Sequence, residues 1–119
     1  MKNQPFRERL RFALAGLRHA ARAENSVRTQ IGIFVVVMVV MAILRPGPVW
    51  WGLVLLASAG VLAAELLNTA IEHLVDHLHP EIHPSIRIVK DCAAAAVFVA
   101  VLGAVAVGIA LVVHWLIIK

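Results

Sequence analysis

The sequence predicts an all-α membrane protein, an N-terminal amphipathic surface helix followed by three transmembrane helices. Of its 119 residues, 61% are apolar and 15% are charged, whereas a water-soluble domain carries about 45–50% apolar and about 25% charged residues. The apolar residues gather into three long segments. The three tryptophans, Trp50, Trp51 and Trp115, stand near the ends of those segments, where interfacial anchors belong. This composition excludes a soluble globular enzyme, and so much apolar surface also excludes disorder. Cys92 is the single cysteine, so no disulfide forms within one chain. One domain, 1–119, is expected at this length.

The first element is a surface helix over 5–22. Phe6, Leu10, Leu14, Leu17 and Ala21 recur at spacings of three and four and share one face, while Arg7, Arg11, Arg18 and Arg22 collect on another. Arg9 and Phe12 break the pattern. Such a helix suits the headgroup layer of an anionic leaflet. Residues 1–30 are too polar for a secretory leader, and the apolar stretch begins too late for one.

The first span is expected within 28–44. Its apolar core, Ile31–Leu44, has 14 residues and needs the turns through Arg28-Thr29-Gln30 to approach the ~20 residues of a crossing helix. Arg45-Pro46-Gly47-Pro48 ends it. The second segment, 49–78, is apolar to Ala64 and then continues in helical register with polar residues on one side. The third, 92–118, is interrupted only by His114. Three crossings put the chain ends on opposite sides. Seven basic residues (Lys2, Arg7, Arg9, Arg11, Arg18, Arg22, Arg28) precede the first span, and Arg87 and Lys90 lie between the second and third. The positive-inside rule therefore places the amino terminus and the 79–90 connection in the cytoplasm. The formal charge is +4, yet no zinc-finger or helix-turn-helix pattern accompanies it, so a membrane surface and not nucleic acid is the expected partner.

The chemistry is expected on the second span. Glu65, Asn68, Glu72 and Asp76 are three, four and four residues apart and line one helix face. Stacked carboxylates repel and lose hydration near hydrocarbon, so a cation or a proton must offset them. Hard oxygen donors suit magnesium: Glu24 and Glu72, from separate helices, can hold it alongside phosphate oxygens, and Lys90 can neutralise a transferring phosphoryl group. A zinc site from His73, His77, His79 and His83 is conceivable, but Pro80 and Pro84 separate the pairs and no H-E-x-x-H is present. His114 reads as an interfacial residue and Cys92 as a small packing residue. Small residues such as Gly60, Gly103 and Gly108 permit close helix approach, and an oligomer would cover the polar stripe from lipid. No G-x-x-x-x-G-K-[ST] loop and no protein-kinase signature is found.

E-L-L-N-T-A-I-E-H-L-V-D (Glu65–Asp76) followed by K-D-C-A-A-A-A (Lys90–Ala96) resembles the small bacterial integral-membrane diacylglycerol kinases, a family that includes undecaprenol kinases. G-L-R (Gly16–Arg18) and E-N-S-V-R-T-Q (Glu24–Gln30) add to the likeness, which covers roughly residues 6–115. The resemblance implies a homotrimer with active sites shared between neighbours. It also implies transfer of the ATP γ-phosphoryl group, with magnesium, to a lipid hydroxyl at the cytoplasmic face of the bacterial inner membrane. It assigns Glu65 as general base and Lys90 to the γ-phosphoryl group. Glu24 and Glu72 would bind metal, and Asn68, Asp76, Asp91, Glu81 and Arg18 would surround the nucleotide. Gln30 stands where many diacylglycerol kinases carry an acid, and H-P-S-I-R-I-V-K-D (His83–Asp91) looks like the undecaprenol-kinase branch. Diacylglycerol is the first expectation for the acceptor and undecaprenol its alternative. A small proton- or cation-coupled transporter using Glu65 is a more distant one.

Overall fold

The computed structural model describes residues 3–118; Lys2, one of the charges used to orient the chain, lies outside that range. Four helices follow in order: α1 (Phe6–Ala23), α2 (Asn25–Leu44), α3 (Pro48–Leu78) and α4 (Pro84–Ile118). The last three are each long and apolar enough to cross a membrane.

Local chemistry explains each boundary. Glu24 has extended backbone (φ −115°, ψ 121°) and serves both helices that meet there: its N–H donates to Ala20 O at 2.9 Å, and its carbonyl accepts from Arg28 N–H at 3.2 Å. The Arg28 guanidinium donates to Ala21 O at 3.0 Å and Arg22 O at 2.7 Å, satisfying carbonyls that the end of α1 leaves without a helical partner. It also donates to Asn25 Oδ1. α2 stops where Arg45 turns into the left-handed region (φ 53°), directly before Pro46. Pro48 then opens α3 at a position where a missing N–H costs no helical bond.

The third span extends further back than expected. α4 begins at Pro84, not at 92, and α2 begins at Asn25, not at 28. Proline is compatible with the first helical turn, Ser85 N–H donates to His83 Nδ1 at 3.1 Å, and Arg87 Nε bridges to Asp91 Oδ1 at 3.1 Å one turn on. Hydropathy marks only where hydrocarbon begins; the helix itself continues through the polar prefix.

Length places the polar residues. At 1.5 Å per residue, the 20 residues of α2 reach about 30 Å, matching a hydrocarbon core, while the 31 of α3 reach about 46 Å and the 35 of α4 about 52 Å. The tight α2–α3 connection and the Trp50 and Trp51 pair mark one end, where Trp50 and His114 meet with ring centroids 5.2 Å apart. The surplus of α3 and α4 therefore protrudes at the other end, beside Glu24.

α3 and α4 form an antiparallel hairpin that packs closely, and α2 lies more loosely against α3. Met41, Val54 and Leu111 make a small core near the tryptophan end, with Val37, Met38 and Val107 around it. Between α2 and the hairpin runs an apolar groove of about 760 Å³, bordered by residues such as Phe34, Val40, Ser58, Leu62 and Val105. Most large apolar side chains on the three long helices face outward, Val36 and Leu56 among them. So large an apolar surface is suited to lipid and partner helices and not to water.

Met41 is fully buried, whereas Val40 is 43% exposed. Met41→Ala is expected to cost about 2–5 kcal/mol by opening a cavity, and Val40→Ala to cost much less. Unfolding in detergent micelles checks the contrast; equal effects would mean that the core around Met41 does not support the fold.

Candidate active site

α3 carries the stripe with the expected geometry. Measured from Pro48, Glu65 stands about 26 Å along the helix axis, Asn68 about 30 Å, Glu72 about 36 Å and Asp76 about 42 Å. A hydrocarbon core of about 30 Å that began at Pro48 would reach Glu65 and Asn68 at its far edge and leave Glu72 and Asp76 beyond it. Asp76 is 28 residues from the start of α3 (76 − 48) and Lys90 is 28 residues from the end of α4 (118 − 90). Antiparallel packing thus brings them level, and Lys90 Nζ donates to Asp76 Oδ1 at 2.6 Å. An ammonium has three N–H donors, so Lys90 keeps two for another acceptor.

The buried end of the stripe is polar and under-satisfied. Glu65 is 6% exposed, and it and Thr69 are the buried polar residues among those described. No hydrogen bond or ion pair holds the Glu65 carboxylate among the described residues. Asn68 Nδ2 donates to Glu72 Oε1 over a long 3.4 Å, while Asn68 Oδ1 is buried with no partner. Buried acceptors are nearly always paired, so an orphaned amide oxygen next to an unheld carboxylate marks a place built for something other than packing.

The remaining expected residues distribute unevenly. Glu24, at the α1–α2 corner, faces α3: its Oε1 lies 3.5 Å from His73 Nε2, and His73 directly follows Glu72 on the helix. Asp91 is engaged by Arg87. Glu81 is exposed in the 79–83 connection and lines a small hollow of about 120 Å³ together with His79, Ile86 and Lys90. Arg18 is exposed on α1 and makes no hydrogen bond or ion pair with the other site residues. The structure thus brings Glu24 to His73, and Asp76 to Lys90, but leaves Arg18 apart.

The histidines and Cys92 are placed as follows. Among the described residues, no three His, Cys, Asp or Glu side chains converge to hold a metal ion, so the conceivable histidine zinc site is not formed. Cys92 is exposed, and its neighbour Ala93 fills the packed position instead. Sequence reasoning also paired His73 with His77 by spacing, whereas His73 turns to α1: its ring meets His19 edge-on, with centroids 5.8 Å apart at 72°. Spacing within one helix carries no signal for that contact between helices.

Residues 11–112 match the family model described as prokaryotic diacylglycerol kinase. A curated relative, the diacylglycerol kinase of Synechocystis sp. (strain ATCC 27184 / PCC 6803 / Kazusa), is 35% identical over 99 residues, which cover 82% of this chain and 57% of that protein. The chain thus spans little more than half the length of the curated relative it matches.

A buried carboxylate without a partner is a cost that packing alone would remove. Glu65→Leu is expected to raise stability in ligand-free protein by about 1–3 kcal/mol, read as a higher unfolding midpoint. A lower midpoint would mean that the carboxylate is already satisfied.

Proposed function

The chain belongs to the prokaryotic diacylglycerol kinase family, and on that footing we propose that it transfers the γ-phosphoryl group of ATP to the hydroxyl of diacylglycerol, giving phosphatidic acid. Family membership and three crossing helices make it a multi-pass membrane protein. The observation that carries the proposed reaction is Glu65, a largely buried residue on α3 whose carboxylate has no partner among the described residues and stays open to a substrate hydroxyl.

In this reading, Glu65 accepts the proton of the lipid hydroxyl as its oxygen bonds to the γ-phosphorus. The bond from that phosphorus to the β–γ bridging oxygen breaks, and ADP leaves. Phosphoryl transfer depends mostly on positioning and charge stabilisation, so a few polar side chains suffice without a soluble nucleotide fold. Lys90, steadied by Asp76 at 2.6 Å, offers its remaining N–H groups to the γ-phosphoryl oxygens. Asn68, Asp76, Asp91, Glu81 and Arg18 are assigned to the nucleotide and its surroundings, Arg18 requiring a partner subunit or the bound nucleotide to join them.

Magnesium fits the donors of this chain. Glu24, Glu72 and the unpartnered Asn68 Oδ1 are hard oxygen atoms, and magnesium usually takes one or two carboxylates and completes its shell with water and phosphate oxygens. When bound, it would neutralise charge on the ATP phosphates. Glu24 and Glu72 would hold it, and Asn68 would orient Glu72 through the 3.4 Å contact.

Assembly as a homotrimer with shared sites belongs to the same proposal. The apolar flanks of α2 and α4 and the groove of about 760 Å³ between them support partner helices there. We place the protein in a bacterial inner membrane with its amino terminus in the cytoplasm, because the basic residues gather on that side. The outward apolar face of α1, with Phe6, Leu10 and Leu14 all exposed, is suited to the cytoplasmic leaflet.

Purified protein supplied with γ-labelled ATP and magnesium should label diacylglycerol. Label appearing only in undecaprenyl phosphate would replace the acceptor, and no labelled lipid from either acceptor would remove the kinase reading. Glu65→Gln is expected to lower turnover by about 10²–10⁴-fold while the oligomer persists on size-exclusion chromatography; normal turnover would remove the base assignment. Glu72→Ala is expected to raise the magnesium concentration needed for half-maximal rate, and an unchanged requirement would remove its metal role.

A further inference from the structure

Glu24 is held from two directions. Its backbone is fixed by the corner between α1 and α2, where Arg28 ties Ala21 O, Arg22 O and Asn25 Oδ1 together. Its side chain crosses to α3 and meets His73, with Oε1 3.5 Å from Nε2. The His73 ring is flanked by the His19 ring at 5.8 Å between centroids, nearly perpendicular at 72°. Three helix segments thus converge on one carboxylate oxygen.

The energetics indicate what this contact is for. The Glu24 and His73 side chains are 31% and 56% exposed, and an exposed pair of this kind adds little to stability. Orientation is a different matter. A free glutamate samples many rotamers, and one carboxylate oxygen anchored by an imidazole N–H leaves the other aimed. Carboxylates that ligate metals are ordinarily held in this way, and loss of the holding group costs about 10–100-fold in metal affinity.

We infer that His73 is a positioning residue for the metal site: its Nε2, 3.5 Å from Glu24 Oε1, keeps that oxygen on the α3 side and leaves Oε2 for a divalent cation, and the His19 ring packs edge-on against His73. The inference rests on the assignment of Glu24 to magnesium under Proposed function. His73 acts through Glu24 and is assigned no ligand of its own.

The test uses Mn²⁺ as the probe, with a non-hydrolysable ATP analogue, on the full-length protein in nanodiscs; bound Mn²⁺ is read by electron paramagnetic resonance. His73→Ala should weaken Mn²⁺ binding about 10-fold, with the same shift in the magnesium concentration needed for half-maximal phosphorylation. His73→Gln, whose amide N–H reaches a similar position, should recover most of that loss, and His19→Leu should show a smaller loss in the same direction. Circular dichroism and size-exclusion chromatography confirm that each variant is folded. If Glu24→Gln weakens Mn²⁺ binding but His73→Ala does not, or if His73→Gln rescues nothing, the positioning role is overturned and the metal assignment stands. If Glu24→Gln leaves Mn²⁺ binding intact, the metal assignment fails and this inference fails with it.

Discussion

The bilayer's refusal to solvate charge governs this protein, and it acts through helix length. α2 is as long as the hydrocarbon is thick, while α3 and α4 exceed it by about 16 and 22 Å. Because α2 and α3 are joined tightly at the tryptophan end, the whole surplus emerges on one side. That surplus carries Glu72, Asp76, Lys90 and Asp91, and Glu24 waits beside it at the foot of α2.

Depth divides the stripe by environment. Asp76 and Lys90 lie far enough out to be hydrated, and their ion pair costs little and stabilises little. Glu65 lies at the edge of the hydrocarbon, buried and without a partner. One helix face therefore presents a paired acid on an exposed residue at one end and, at the other, an acid on a largely buried residue with no partner among the described residues. In a protein shaped only by stability, an apolar residue would serve better at the second position.

Much of this was legible in advance because the signals are local. Three spans, their order, the proline and glycine at Pro46, Gly47 and Pro48, and the face shared by Glu65, Asn68, Glu72 and Asp76 all follow from composition and from a 3.6-residue period. The start of α4 at Pro84 was not legible from hydropathy, because a helix that leaves the membrane keeps its backbone hydrogen bonds while losing its apolar character. The exposure of Cys92 next to a buried Ala93 was not legible either: one residue turns a helix by about 100°, and nothing local says which of two small residues faces the neighbour.

Taken alone, the chain's own residues determined that it crosses a membrane three times, which side carries the basic charge, and which acids share a helix face, since each depends on spacing along one helix or on transfer from water to lipid. Only the tertiary structure decided that Asp76 meets Lys90, that Glu24 turns to His73 and His19, and that Asn68 Oδ1 is left without a partner. Those are distances between helices, set by the tilt, rotation and register of packed surfaces, and a pattern read along one helix contains none of them.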